Sequence, residues 1–92
     1  MLEKDKYDLQ FKTTKFKTEI SSQCLKIEEE YEELISAVLD ENDKKHIGEE
    51  TCDVIVACLT LLKHNFTDEQ IKHLFKFVND KNRKRGYLED NE

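Results

Sequence analysis

Proline and tryptophan are absent from these 92 residues, and glycine occurs only twice, at Gly48 and Gly86. So few chain-breaking residues exclude collagen-like, proline-rich and turn-dense all-β architectures. Long apolar runs are also missing. The longest, Val54 to Leu62, is nine residues, less than half of what a bilayer crossing needs. Met1-Leu2 leads straight into Glu3, Lys4, Asp5 and Lys6, which is no secretory leader, so a cytoplasmic protein without a membrane partner is expected. The three cysteines, Cys24, Cys52 and Cys58, form no CxxC pair and read as reduced thiols packed as small core residues. His46, His64 and His73 fall into no HxxxH spacing, and no Glu-x-x-His pair occurs. A zinc site and a di-iron bundle therefore have no motif behind them. Without a glycine-rich phosphate loop, a P-loop nucleotidase is excluded.

Charge is plentiful. Asp and Glu number 21 against 15 Lys and Arg, a net charge of −6, which speaks against general binding to nucleic acid or to an anionic membrane. The length allows one domain, residues 1–92, and one small core.

Three helical segments are legible. The first runs from about Glu19 to Leu39, with Ile20, Cys24, Ile27, Tyr31, Leu34, Ile35 and Val38 at spacings of three and four, an apolar stripe. Asp40-Glu41-Asn42-Asp43 breaks this pattern and opens a polar loop to Gly48. The second helix, about Gly48 to His64, is apolar on every side from Val54 to Leu62, with Thr60 the sole interruption. A helix of that kind must be surrounded, and one small chain offers too few elements to do it. A homo-oligomer, dimer or tetramer, is expected. The third helix opens with a capping box, Thr67 with Gln70. It buries Ile71, Leu74, Phe75 and Val78, and stops at Gly86. Residues 1–18 fit a strand, a short helix or an arm equally well. The expected fold class is all-α, a helical bundle whose four-helix-bundle core is completed by oligomerisation.

The chemistry is concentrated in carboxylates. Glu28 to Glu33 places five of them in six residues of the first helix. Like charges three and four apart cost a helix a few tenths of a kcal/mol per pair. At about 100° per residue, Gln23, Lys26, Glu30, Glu33 and Ala37 share a strip beside the apolar stripe, whereas Glu29 and Glu32 lie farther towards solvent. After sixteen further residues, Glu50 and Asp53 repeat the i, i+3 spacing at the start of the apolar run. Any single ExxE is most simply a solvated acidic face, and Glu50 and Asp53 also suit a helix N-terminus. Two such pairs facing one interior are different, because four carboxylates there need cations. Oxygen-only ligands favour Mg2+ or Mn2+ over zinc.

Gln23-x-x-Lys26-x-x-Glu29-Glu30-x-x-Glu33-Leu34, followed by Glu49-Glu50-x-x-Asp53-Val54-Ile55, resembles the MazG-like all-α nucleoside triphosphate pyrophosphohydrolases. Their signature is ExxE, a variable spacer and ExxD. Lys81-x-x-x-Arg85-Gly86 is similar to the basic motif near the end of compact, phage-type members. The resemblance covers about residues 20–88. It implies Mg2+-dependent hydrolysis of a nucleoside triphosphate between the α and β phosphates, yielding the monophosphate and pyrophosphate. It also implies Glu30, Glu33, Glu50 and Asp53 as catalytic metal ligands and Lys81 and Arg85 on the phosphates. Gln23 and Lys26 would line the substrate site, unless Lys26 pairs with Glu30. Phe16 and Tyr87, least committed to packing, are candidates for base contact. The competing expectation is a helical interaction module, or a nucleotide sensor without turnover, whose acidic face is merely solvated.

Overall fold

The computed structural model describes residues 12–15 and 18–88, and among them there are helices and no strand. Helix α1 spans Ile20–Ser36 and runs into a π-helical turn, Ala37–Glu41. Helix α2 spans Lys44–Asn65 and α3 spans Asp68–Lys84. The expected architecture of three helices is present. The expectations for residues 1–11 and for Phe16 lie outside the described residues.

Helices α1 and α2 form an antiparallel hairpin joined by only Asn42 and Asp43. Asn42 adopts φ +52°, a left-handed conformation that asparagine tolerates better than most residues. Its N–H closes the π-turn on the Ala37 carbonyl at 2.9 Å. Asp43 then caps α2, its carboxylate accepting from the Lys45 N–H at 3.2 Å. The polar loop expected up to Gly48 is therefore corrected to two residues, and α2 begins four residues earlier than the glycine suggested. Once Asp43 starts the helix, Gly48 costs roughly 1 kcal/mol of propensity, which α2 tolerates. A Cβ built at Gly48 meets nothing within 4 Å. Gly48→Ala is expected to stabilise the fold by about 1 kcal/mol, raising the thermal midpoint by about 4–8 °C; a melting curve measures it.

The face α1 turns towards α2 differs from the expected one. Gln23 and Ala37 are buried and Ile27, Glu30 and Leu34 half-buried, while Ile20, Cys24, Tyr31, Ile35 and Val38 are exposed. The mixed strip lies inside the hairpin and much of the apolar stripe lies outside it. Polar side chains at the helix contact make this arrangement feasible: Gln23 Nε2 donates to the Ala57 carbonyl at 3.0 Å, and Thr18 Oγ1 donates to Gln23 Oε1 at 3.0 Å. A buried amide with both ends satisfied carries no desolvation penalty of an unpaired group. On α2, Ala57, Leu59 and Thr60 are buried, but Ile55 and Cys58 are exposed. Thr60 Oγ1 donates to the Val56 carbonyl at 2.8 Å and accepts the Thr14 N–H at 3.4 Å, placing residue 14 against α2.

Helix α3 begins as its sequence dictates. Thr67 Oγ1 accepts from the Gln70 N–H at 3.1 Å, and Gln70 Oε1 accepts from the Thr67 N–H at 2.9 Å. It ends in a Schellman motif: Tyr87 N–H to Asn82 carbonyl at 2.9 Å, Gly86 N–H to Arg83 carbonyl at 3.0 Å, with Gly86 at φ +75°. Its burial does not follow the expected stripe. Ile71 is 1% exposed, Phe75 is half-buried, and Leu74 and Val78 are exposed. The reason is topological: among the described elements, α3 packs on α2 and makes no packing contact with α1. Cys24, Cys52 and Cys58 are free, as expected, but all three are exposed rather than core, because they sit on faces that this chain leaves uncovered. No described helix is long and apolar enough to cross a membrane.

Candidate metal centre

The antiparallel hairpin sets Glu30 of α1 opposite Glu50 and Asp53 of α2. One oxygen from each of these three residues can be chosen so that all lie within 4.8 Å of one another. An octahedral Mg2+ with bonds of 2.0–2.1 Å holds its ligand oxygens about 3 Å apart when adjacent and about 4 Å apart when opposite. The side chains would draw together to reach that geometry. The Glu50 side chain is 14% exposed. Its Oε2 is buried with no hydrogen-bond partner, while its Oε1 lies 3.1 Å from His46 Nε2. A buried carboxylate oxygen without a partner is costly, and a divalent cation is the group such an oxygen suits. The all-oxygen donor set fits Mg2+ and Mn2+ alike.

Glu33, the fourth expected ligand, is outside the triad but adjacent to it. The negative charge of Glu30 foremost, with burial and the charges of Glu50 and Glu29 also contributing, raises its carboxyl above the ordinary value of 4.5. Glu33 also lines a cleft of about 480 Å³ between α1 and the start of α2, with Glu29, Glu32, Glu41, His46 and Glu50. Glu50 thus joins the triad to the cleft. Glu29 and Glu32 are exposed, as expected, and stand at the wall of this open cleft.

The remaining sequence candidates divide. Lys26 pairs with Glu30 at 3.0 Å and with Glu29 at 3.5 Å, so its first role is local; the Glu30 contact raises its pKa above the usual lysine value. Gln23 is buried, its Nε2 donating to the Ala57 carbonyl of α2 and its Oε1 accepting from Thr18, and it does not line the cleft. Lys81 and Arg85 belong to the far end of α3 and do not line the cleft. Tyr87 is exposed beyond that end.

Two groups that sequence reasoning passed over matter here. Glu41 from the π-turn contacts His46 Nδ1, and the same ring reaches Glu50 through Nε2. Extending α2 back to Lys44 is the signal that would have found them, since His46 and Glu50 are then i, i+4 on one helical face.

These contacts set a pH response. The Glu41 hydrogen bond first, and then the charges of Glu41 and Glu50, raise the His46 pKa above 6.5. A histidine so raised contributes stability that is complete below about 6.5 and lost as pH climbs through the folded-state value. Glu33 acts in the same direction, because its repulsion from Glu30, Glu50 and Glu29 is relieved as pH falls through its raised pKa. Asp68 and Asp80, lowered by Lys63 and by Lys76 with Arg83, respond only below the ordinary carboxylate range. Melting curves in chelator are expected to show greater stability at pH 6 than at pH 8. Added Mg2+ should stabilise more at pH 8, where protons no longer compete for the site.

No family model matches the chain, and no curated protein or solved structure matches it either.

Proposed function

We propose that the protein is a MazG-like, Mg2+-dependent nucleoside triphosphate pyrophosphohydrolase. The observation that carries this reading is the convergence of Glu30 with Glu50 and Asp53, with one oxygen of Glu50 buried and unpartnered. Members of two sequence motifs separated by sixteen residues thereby share one cation-sized space. Six carboxylates line the adjoining cleft, so a polyphosphate would enter only with cations to neutralise it. When bound, a divalent ion supplies charge neutralisation at the phosphate oxygens and a lowered pKa for water.

The protein's own groups have distinct tasks. Glu30, Glu50 and Asp53 hold the cation. Glu33, free of that set and with its proton affinity raised, is the base that takes the proton of the attacking water at a carboxylate oxygen. The water oxygen bonds to phosphorus, the α–β bridging bond breaks, and the bridging oxygen leaves with pyrophosphate. Lys26 holds Glu30 in position at 3.0 Å. Lys81 and Arg85 reach phosphate only if a second copy of the chain presents them, since α3 does not pack beside α1.

The exposed apolar residues support such a copy. Ile20, Tyr31 and Ile35 on α1, Val38 in the π-turn, and Leu74, Phe77 and Val78 on α3 are all at least partly exposed. Leaving so much apolar surface in water is unfavourable at about 25 cal/mol per Å², so the bundle is proposed to be completed as a homodimer or tetramer.

Incubation with Mg2+ and a panel of canonical and modified nucleoside triphosphates tests the activity. Pyrophosphate with the nucleoside monophosphate is expected, and orthophosphate is not. A helical interaction module with a solvated acidic face predicts neither product nor any stabilisation by Mg2+. A sensor predicts stabilisation without turnover.

A further inference from the structure

Resting on that reading of the site, we infer that His46 is a positioning residue that confines Glu50 to one-oxygen ligation and so favours Mg2+ and Mn2+ over Ca2+. A carboxylate can give a metal one oxygen or two. At Glu50 the choice is made in advance. Oε1 lies 3.1 Å from His46 Nε2, and Oε2 is left buried and without a partner. Nε2 donates to Oε1 when it carries the proton, and a ring protonated at both nitrogens donates to Glu41 and Glu50 together.

The ring is fixed from its other side as well. Glu41 contacts Nδ1, and Glu41 is the last residue of the π-turn Ala37–Glu41. That turn brings the end of α1 back over the first turn of α2, so the imidazole is spanned by two carboxylates from different elements. Departures from α-helical winding at functional positions are common for this reason: they re-aim one side chain. Lys26 engages one oxygen of Glu30 in the same manner at 3.0 Å, but from a longer and half-exposed side chain.

Ion preference follows from coordination chemistry. Ca2+ takes six to eight oxygens at 2.3–2.6 Å and often two from one carboxylate, whereas Mg2+ keeps six at 2.0–2.1 Å and retains water. A glutamate whose second oxygen is held by a ring contributes one ligand to either ion. The loss falls on Ca2+, which would use both oxygens. Partners of this kind behind a metal ligand are worth about 10–100-fold in affinity.

The test uses the full chain without nucleotide. Binding of Mn2+ is read from the spectrum of the free ion by electron paramagnetic resonance, with Mg2+ and Ca2+ as competitors. His46→Ala is expected to weaken Mn2+ binding about 10–100-fold and to shift the competition towards Ca2+. His46→Gln, whose amide N–H reaches the same oxygen, is expected to recover most of both. A His46→Ala protein with the parent's affinity and ion ratio overturns the inference, and so does one that loses affinity with no change in ratio. If circular dichroism shows His46→Ala to be unfolded, Glu41→Gln, at an exposed position, carries the test; a smaller shift towards Ca2+ is expected, and an unchanged ratio overturns the inference. A parent protein that binds no Mn2+ overturns the metal centre itself and this inference with it. A parent that binds Mn2+ but hydrolyses no triphosphate overturns the proposed activity alone.

Discussion

Glu50→Gln is expected to reduce pyrophosphate release by at least about 10³-fold while leaving the helical circular dichroism unchanged. Glutamine preserves the shape and leaves a carbonyl oxygen to accept from His46, but it removes one charge of the proposed cation site. Cation-mediated stabilisation of a phosphoryl transition state is worth several kcal/mol, and each 1.36 kcal/mol is tenfold in rate. The fold should not suffer, because the substitution also removes one negative charge from a cluster in which Glu33 already experiences repulsion from Glu30 and Glu50. A second measurement separates chemistry from folding. At a Mg2+ concentration 100 times the dissociation constant, a ligand specific for the native state stabilises it by about 2.7 kcal/mol, and that increment should vanish in the variant. Turnover that survives the substitution would remove Glu50 from the site.

Phe77→Asp is expected to convert the proposed oligomer into monomers, as measured by light scattering after size exclusion. Phe77 is 66% exposed within one chain. If the chain acts alone, exchanging so exposed a side chain alters stability by no more than about 0.5 kcal/mol. If a second copy covers α3, each protomer loses about 1.5–3 kcal/mol of buried phenylalanine. A two-fold interface counts that loss twice. Together they weaken association by about 10²–10⁴-fold. An assembly of unchanged size would show that α3 is not its contact surface.

Helix starts and stops were legible because they are local. Thr67 and Gln70 cap α3, and Gly86 ends it in a left-handed conformation, as those residues dictate. The grouping of carboxylates along each helix was legible for a similar reason, since the 3.6-residue repeat fixes which of them share a helical face. Misread was the direction in which faces turn. The stripe with Ile20, Tyr31, Ile35 and Val38 is the most apolar side of α1, yet the hairpin buries Gln23 and Ala37 instead. Hydrophobic periodicity identifies a surface that needs covering; it does not identify the cover. Gly48 misled in another way, since its propensity cost is smaller than the gain from extending α2 back to the Asp43 cap.

By itself, then, the sequence determined three helices, most of their ends, and the pairing of Glu30 with Glu33 and of Glu50 with Asp53 along their own helices. These follow from backbone hydrogen bonding and a fixed angular step per residue, which act over a single turn. Only the tertiary structure decided that Glu30 joins Glu50 and Asp53 while Glu33 stays at the cleft. It likewise placed His46 between Glu41 and Glu50, and kept Lys81 and Arg85 away from the cleft. Those outcomes depend on the angular setting of one helix against another and on a two-residue connection. Packing shape and the satisfaction of buried polar groups fix them, at distances along the chain that no local pattern records.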